Sequence, residues 1–434
     1  MKKQVQTAQA PLRSEGPYAW YVLAVLTLAA VFSYTDRQIL NLLVDPIRAD
    51  LRIDDLQISL VQGAAFAFIY SILGLPIGRW ADHTNRRNLV AGGVALWSFA
   101  TALCGLAESY RELFAYRILV GIGEAALAPC ALSLISDYFG VKRRGTAISI
   151  FIAGMTLGSG LAISLGGLLR GLFESGAMAA AGLAPWRGVM LVLGLFGMLF
   201  AALILTIREP RRDMTSHASA EELPTLRQVA AYLFSNRRTF FTLYGAWTVF
   251  LLADYGVGAW FPSLMMRSFD YKALDVAGQV GLITIVVGGI ATVAGGMLGD
   301  WLLRRGWSDA KVRVGLGGFL LALLAAPALL SSSSTVVMLG FTLYTFGGNL
   351  GLTAGLTAMQ DIVPNRMRGV TTSIQAFLYT AFGLGVGPSL VALVTDGGGN
   401  LATAIVTVMM PLLLAALLLI AAGLASYRRL RARQ

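Results

Sequence analysis

Apolar stretches long enough to cross a hydrocarbon core recur about twelve times along these 434 residues. A bilayer core takes about 20 residues of helix, so each run is expected to be one transmembrane helix. They fall near 18–44, 57–78, 88–107, 112–136, 146–171, 187–207, 239–267, 277–301, 311–330, 335–360, 369–395 and 400–426, numbered helices 1 to 12 below. With 56% hydrophobic and 13% charged residues, the chain is unlike an ordinary soluble domain. It reads as an all-α, multi-pass integral membrane protein.

Lys and Arg concentrate in cytoplasmic loops, and this decides the expected orientation. With the N-terminus inside, 25 of the 34 basic residues are cytoplasmic, seven are outside, and Arg37 and Arg117 lie in the membrane. Both termini are therefore expected in the cytoplasm. The net charge of +11 is then spread over every cytoplasmic turn, which speaks against a nucleic-acid surface. The apolar run after Pro17 has no small-residue cleavage site and is expected to stay as helix 1. Cys104 and Cys130 read as small apolar packing residues.

Two membrane helices carry ionisable residues that cancel in charge: Asp36 and Arg37 in helix 1, Arg117 and Glu124 in helix 4. A charge at the bilayer centre costs several kcal/mol, so such residues face a partner or a wet cavity and mark function. Arg117 and Glu124 are seven apart and share one helical face. At about 1.5 Å per residue, the expected helix ends place the four groups in the outer half of the membrane. Arg keeps its proton in proteins, which leaves Glu124 and Asp36 as the groups able to couple protons. The competing reading is a static ion-pair network pinning helix 1 to helix 4. His83 and His217 are expected in cytoplasmic segments.

A repeat divides the chain. Asp36 maps to Asp254 and Asp82 to Asp300, both 218 residues on, and DYFGVKRRGTAIS (Asp137 to Ser149) maps to DIVPNRMRGVTTS (Asp361 to Ser373) at 224. Two pseudo-symmetric six-helix bundles around a central cavity are expected, the plan of many secondary transporters. The parts are a tail (1–17), a first bundle (18–208), a cytoplasmic linker (209–238), a second bundle (239–427) and a basic tail (428–434). In the linker, Leu226, Val229, Ala230 and Leu233 follow helical spacing, as in a helix lying on the membrane surface; a flexible linker is the alternative. The repeat is asymmetric. The offset of 224 takes Arg117 to Phe341 and Glu124 to Gly348, and Tyr255 follows Asp254. The second bundle thus offers the cavity Asp254, Tyr255, Asn349, Gln375 and Tyr379.

The turn after helix 2, GRWADHTNRR (Gly78 to Arg87), resembles the signature loop of the major facilitator superfamily, with Asn85 for the usual second Gly and His83 for a usual Arg. GMLGDWLLRR (Gly296 to Arg305) is its degenerate copy. The resemblance implies a cytoplasmic gate built from Gly78, Asp82, Arg86, Arg87, Asp137, Arg144, Asp300, Asp361 and Arg368. In it Asp82 would meet the partly positive start of helix 11 near Gly369. The alternative is a simple tether of the turns. SYTDRQ (Ser33 to Gln38), together with RILVGIGEAA (Arg117 to Ala126), is similar to the spinster branch. That branch implies proton-coupled carriage of lysolipids or sphingolipid phosphates, and the superfamily implies a monomer.

The expected function is a secondary transporter working by alternating access, with no cofactor beyond the proton. Its substrate is an amphipathic organic anion held through Arg37 and Arg117, since guanidinium groups suit phosphate and carboxylate. A small carboxylate or a drug-like compound is the alternative, and a non-transporting membrane sensor is the reading from another class. The expected location is the bacterial inner membrane. An ATP-driven pump is excluded, because no lysine follows a glycine as a phosphate-cradling loop requires. An enzyme is not expected, because HExxH and a Ser and His pair are both absent.

Overall fold

A computed structural model describes residues 16–174, 184–210 and 225–432. Inside its helices, the side chains of Leu75, Asp82, Val141, Lys142, Thr156, Glu174, Leu226 and Asn365 are outside the description. Most of the N-terminal tail, His217 and much of the linker also lie outside the described residues. Twelve helices are long and apolar enough to cross a membrane, and among the described residues there is no strand.

Helix 1 is Pro17–Leu51, opened by a proline whose missing N–H costs nothing at the first helical position. It closes on Arg52 in the left-handed conformation. Helix 2 begins at once in a capping box, where Asp54 accepts from the Gln57 N–H at 2.7 Å and Gln57 accepts from the Asp54 N–H at 3.1 Å. It runs as Asp55–Gln62 and, after a break at Gly63, Ala64–His83. Helix 3 is Arg86–Leu106, helix 4 is Tyr110–Glu124 continued as Leu127–Tyr138, helix 5 is Val141–Glu174, and helix 6 is Pro185–Ile204. Leu226–Ser235 forms the linker helix, capped by Thr225 with Gln228.

In the second half, helix 7 is Arg237–Phe269 and helix 8 is Ala273–Leu282 passing through a π-helical turn, Ile283–Val287, into Gly288–Arg304. Helix 9 is Ala310–Ala325, extended by a tighter turn at Ala326–Leu330, and helix 10 is Ser334–Asp361. Helix 11 is Arg368–Leu378, a π-helical turn at Tyr379–Leu384, and Gly385–Asp396; helix 12 is Leu401–Arg431. Helix 1 therefore outruns its expected end by seven residues, because its last polar turns continue the backbone ladder beyond the apolar run. At about 1.5 Å per residue, this puts Asp36 about 22 Å from the Leu51 end and close to mid-helix, deeper than the sequence implies.

The helices pack as two sets of six. Helix 1 lies on helix 5 and helix 3 on helices 4 and 6; in the second set, helix 7 lies on helices 11 and 12 and helix 9 on helix 10. The sets meet along helices 5 and 8, 2 and 11, and 1 and 7. Glycines permit the closest approaches, as is common between membrane helices. A Cβ on Gly123 would sit 2.7 Å from the Gly93 carbonyl and from the Trp97 nitrogen, so this glycine sets the distance of helix 4 from helix 3 one residue before Glu124. A Cβ on Gly63 would sit 2.3 Å from the Leu384 carbonyl, so the two halves cross closely at the break in helix 2. Cys104 and Cys130 are both buried and neither is in a disulfide.

Candidate functional site

The four charges of helices 1 and 4 come together in the core. Asp36, Arg37, Arg117 and Glu124 are all buried, none above 5% exposed. Arg37 donates from Nη2 to Glu124 Oε2 at 2.7 Å, and Ser33, one turn earlier, donates to the same oxygen at 2.6 Å. Asp36 points the other way and accepts from Thr101 of helix 3 at 2.7 Å. Arg117 acts on Asp36 through space, as do Glu124 and Arg37.

The bonding of this cluster is incomplete. All three nitrogens of Arg117 lack a hydrogen-bond partner, as do Arg37 Nε, Asp36 Oδ1 and Glu124 Oε1. A buried polar group without a partner costs about 1–3 kcal/mol, and more when charged. Aromatic faces offset part of this cost. The Arg37 guanidinium lies 4.7 Å from the Tyr34 ring, 4.3 Å from Phe66 and 4.9 Å from Tyr70, and Arg117 lies 5.7 Å from Phe66. Such contacts are worth about 0.5–2 kcal/mol each. A ring can hold a guanidinium in place without using its N–H donors, so the donors stay available to an incoming anion.

Helix geometry aims these groups. Ser33 and Arg37 are four residues apart on one face of helix 1, while Asp36 is turned toward helix 3. Helix 4 loses its regular course at Ala125 and Ala126, directly after Glu124. Sequence reasoning missed Ser33, Thr101 and the rings of Tyr34, Phe66 and Tyr70. Ser33, Tyr34 and Thr101 carry a readable signal, a polar group at helical spacing from a charge or on a neighbouring apolar helix. Phe66 and Tyr70 become visible only once helix 2 packs beside helix 1.

The second half answers with fewer charges. Asp254 accepts one long hydrogen bond, from the Tyr344 hydroxyl at 3.4 Å. Tyr255 lies within electrostatic reach of Arg37, Tyr34 and Tyr70, so it links this half to the charge cluster. The repeat positions of Arg117 and Glu124 are filled by packing: Phe341 stacks on Phe261 at 3.8 Å, and a Cβ on Gly348 would meet Phe250 at 2.9 Å. Asn349 donates to the Thr345 carbonyl at 2.9 Å beside Gly288 of helix 8. Gln375 donates to the Tyr379 hydroxyl at 2.7 Å, both buried. Among the described contacts, none joins Asn349, Gln375 or Tyr379 to the charge cluster.

Ionic ties close one side of the molecule. Arg267, at the end of helix 7, donates to Asp45 Oδ1 at 2.7 Å and to both oxygens of Asp55 at 3.0 Å, and Arg48 stands 2.9 Å from Asp55. Beside them, Asp396 accepts from the Leu56 N–H at 3.0 Å and Ser59 donates to Ser389 at 3.0 Å. These hydrogen bonds between the halves lie toward the Leu51 side. At the opposite, Pro17 side, helix 2 still touches the first part of helix 11, and the ion pairs there join residues of one half. Arg86 pairs with Asp137 at 2.7 Å and with Glu209 at 2.8 Å, and the Arg87 N–H donates to Glu209 at 2.9 Å. Lys311 pairs with Asp361 at 2.9 Å and stands 3.9 Å from the exposed Asp300. Arg368 Nε donates to the Val363 carbonyl at 3.3 Å. A Cβ on Gly78 would be in ordinary contact with Pro129, and Arg144 Nε has no hydrogen-bond partner. The Asp82 side chain lies outside the described residues.

Twelve membrane-crossing helices, an internal repeat and a buried charge cluster between two helix sets define a multi-pass membrane protein of transporter architecture. The chain belongs to the Major Facilitator Superfamily, whose family model matches residues 26–388. It is similar to an MFS-type efflux pump of Mycolicibacterium smegmatis, 26% identical over 382 residues that cover 87% of this chain and 85% of that one. It resembles Protein spinster of Drosophila melanogaster, 27% identical over 398 residues, 89% of this chain and 63% of that protein. A probable L-galactonate transporter of Escherichia coli is 26% identical over 376 residues, 82% of this chain and 78% of that one. Among solved structures, a bacterial homolog of the human lysosomal transporter spinster, in an inward-facing and unoccupied conformation, superposes with a TM-score of 0.80 at 26% identity. That match covers 96% of this chain and 97% of the other. The chain is thus a spinster-like transporter of this superfamily.

Proposed function

We propose that the chain carries an amphipathic organic anion across the bacterial inner membrane by proton-coupled alternating access, as a monomer and without a cofactor other than the proton. The observation that carries this reading is Arg117, a fully buried guanidinium whose three nitrogens have no hydrogen-bond partner and which acts on Asp36 only through space. A merely structural cation would be expected to spend its donors on a carboxylate. With the abundance of Lys and Arg at the Pro17 side taken as cytoplasmic, the tied Leu51 side faces outward and the charge cluster is reached from the cytoplasm.

In this mechanism, protonation of Glu124 breaks the charge-assisted bond to Arg37 and leaves the cluster at +1. Arg37 and Arg117 then bind a phosphate or carboxylate, while Tyr34, Tyr70 and Tyr255 line the apolar part of the substrate. Deprotonation restores the Arg37–Glu124 bond and expels the anion. Proton and substrate are thereby linked, with Asp36 as the second carboxylate able to take a proton. Both a lysophospholipid, which the spinster resemblance implies, and a small sugar acid present the anion this site needs, and one named relative is a probable L-galactonate transporter.

The test is uptake into proteoliposomes under an imposed pH gradient, with lysophospholipids and hexonates offered side by side. Gradient-driven accumulation of an anion in either class supports the proposal. Ligand binding without flux identifies a sensor, and accumulation indifferent to the gradient removes the proton from the mechanism.

A further inference from the structure

One apolar cavity on the described surface shares no residue with the charge cluster. It is a groove of about 680 Å³ between the linker helix, the first turns of helix 7 and helix 11, with Val229, Leu233, Phe240, Thr248, Ile374 and Phe382 among its walls. Its size falls within the range of about 300–1,000 Å³ usual for small-molecule sites. The lining is almost wholly hydrocarbon and aromatic. The groove opens outward, and Phe234 and Phe241 at its mouth are 73% and 76% exposed.

Two further observations say what fits there. Arg237 lines the groove where helix 7 begins. It is flanked by the exposed Arg238 and, on the linker helix, the exposed Arg227. Among the described residues no carboxylate pairs with any of the three. The linker helix is also held as a rigid wall: Val229 is buried, and Tyr232 donates to the Ile362 carbonyl at the end of helix 10 at 2.6 Å. A hydrocarbon slot therefore runs along the second half between the linker helix and helices 7 and 11, with cations at one end that have no carboxylate partner among the described residues.

We propose that this groove is a binding site for an anionic phospholipid of the leaflet on the Pro17 side. One acyl chain lies between helices 7 and 11 beneath the linker helix, and its phosphate is met by Arg237 with Arg227 and Arg238 nearby. Basic clusters at the membrane surface attract anionic lipids, and an apolar slot beside them selects a bilayer amphiphile over a soluble anion. The lipid would brace the linker helix against helix 11 just before its π-helical turn at Tyr379–Leu384.

Native mass spectrometry on the purified full chain in detergent tests this, with phosphatidylglycerol or phosphatidylcholine of identical acyl chains added. The wild type is expected to retain phosphatidylglycerol at least about tenfold more tightly than phosphatidylcholine. Arg237→Glu is expected to abolish that preference. Ala230→Trp, which fills the slot from the linker helix and leaves the arginines in place, is expected to abolish retention of phosphatidylglycerol even should the charge variant fail to fold. Equal retention of both lipids by the wild type overturns the proposal. So does a preference that survives Ala230→Trp, or a protein dimer that forms through this face and excludes lipid.

Discussion

Replacing Glu124 by Gln removes one charge from a cluster that otherwise sums to zero. Oε2 of Glu124 accepts from Arg37 at 2.7 Å and from Ser33 at 2.6 Å. Deleting one partner of a buried ion pair outright costs about 3–5 kcal/mol. Glutamine keeps a carbonyl oxygen in the same place, and three rings continue to hold the Arg37 guanidinium within 5 Å. A destabilisation of about 2 kcal/mol is expected, between the loss of charge assistance on one hydrogen bond and the loss of a whole pair. The protein should still fold. For substrate the sign reverses: the cluster now stands permanently at +1. One added charge about 5 Å from a bound anion, at an effective dielectric near 20, contributes about 3 kcal/mol. Anion binding should therefore tighten by up to about a hundredfold and lose its pH dependence. In proteoliposomes, gradient-driven accumulation should vanish while exchange of substrate at equal pH persists. Accumulation that still follows the pH gradient in Glu124→Gln, or binding that weakens, would refute the assignment of Glu124 as the coupling carboxylate.

Other residues give independent checks. Arg117→Gln should weaken anion binding by about tenfold or more, measured by calorimetry, without lowering the melting temperature, because the guanidinium it removes makes no hydrogen bond in the fold. Arg267→Ala cuts the ties to Asp45 and Asp55 and should open the Leu51 side, seen as faster thiol labelling of cysteines placed in the cavity; unchanged labelling would show that these ties do not hold the closed state. At the turn between helices 8 and 9, burial raises the Asp309 pKa, but hydrogen bonds from Arg428 and Arg313 outweigh it and hold the carboxyl below its ordinary value. A lowered pKa stabilises the fold above the unfolded value of about 3.9 and ceases to do so as pH falls through the folded one. Asp309→Asn should therefore melt lower than wild type at pH 7, by at most about 1 kcal/mol for partners this exposed. The gap should close below about pH 4; a gap that persists there means the effect is not electrostatic.

The twelve helices were legible because a bilayer enforces a length and a polarity on each crossing segment, and both are properties of consecutive residues. The repeat was legible for a similar reason, since Asp36, Asp82 and Asp137 recur at near-constant offsets. The helix ends were less so. Beyond the hydrocarbon layer nothing in hydropathy stops a helix, and helix 1 continues to Leu51, where Arg52 takes the left-handed conformation.

The charged site divides along the same line. Sequence alone determined that Asp36, Arg37, Arg117 and Glu124 must share a compensating environment, because an isolated charge in lipid is too costly to leave unmatched. Only the tertiary structure decided how they are matched: Glu124 takes Arg37 and Ser33, Asp36 takes Thr101 from helix 3, and Arg117 keeps its donors free. That outcome depends on helix rotation and on the approach of helix 3 to helix 4 at Gly93 and Gly123. It depends too on the rings of Phe66 and Tyr70 arriving from helix 2. These distances join residues far apart in the chain, so no local pattern encodes them. The ties of Arg267 to Asp45 and Asp55 are of the same kind, since burial cost constrains each helix separately while pairing is chosen only when the helices pack.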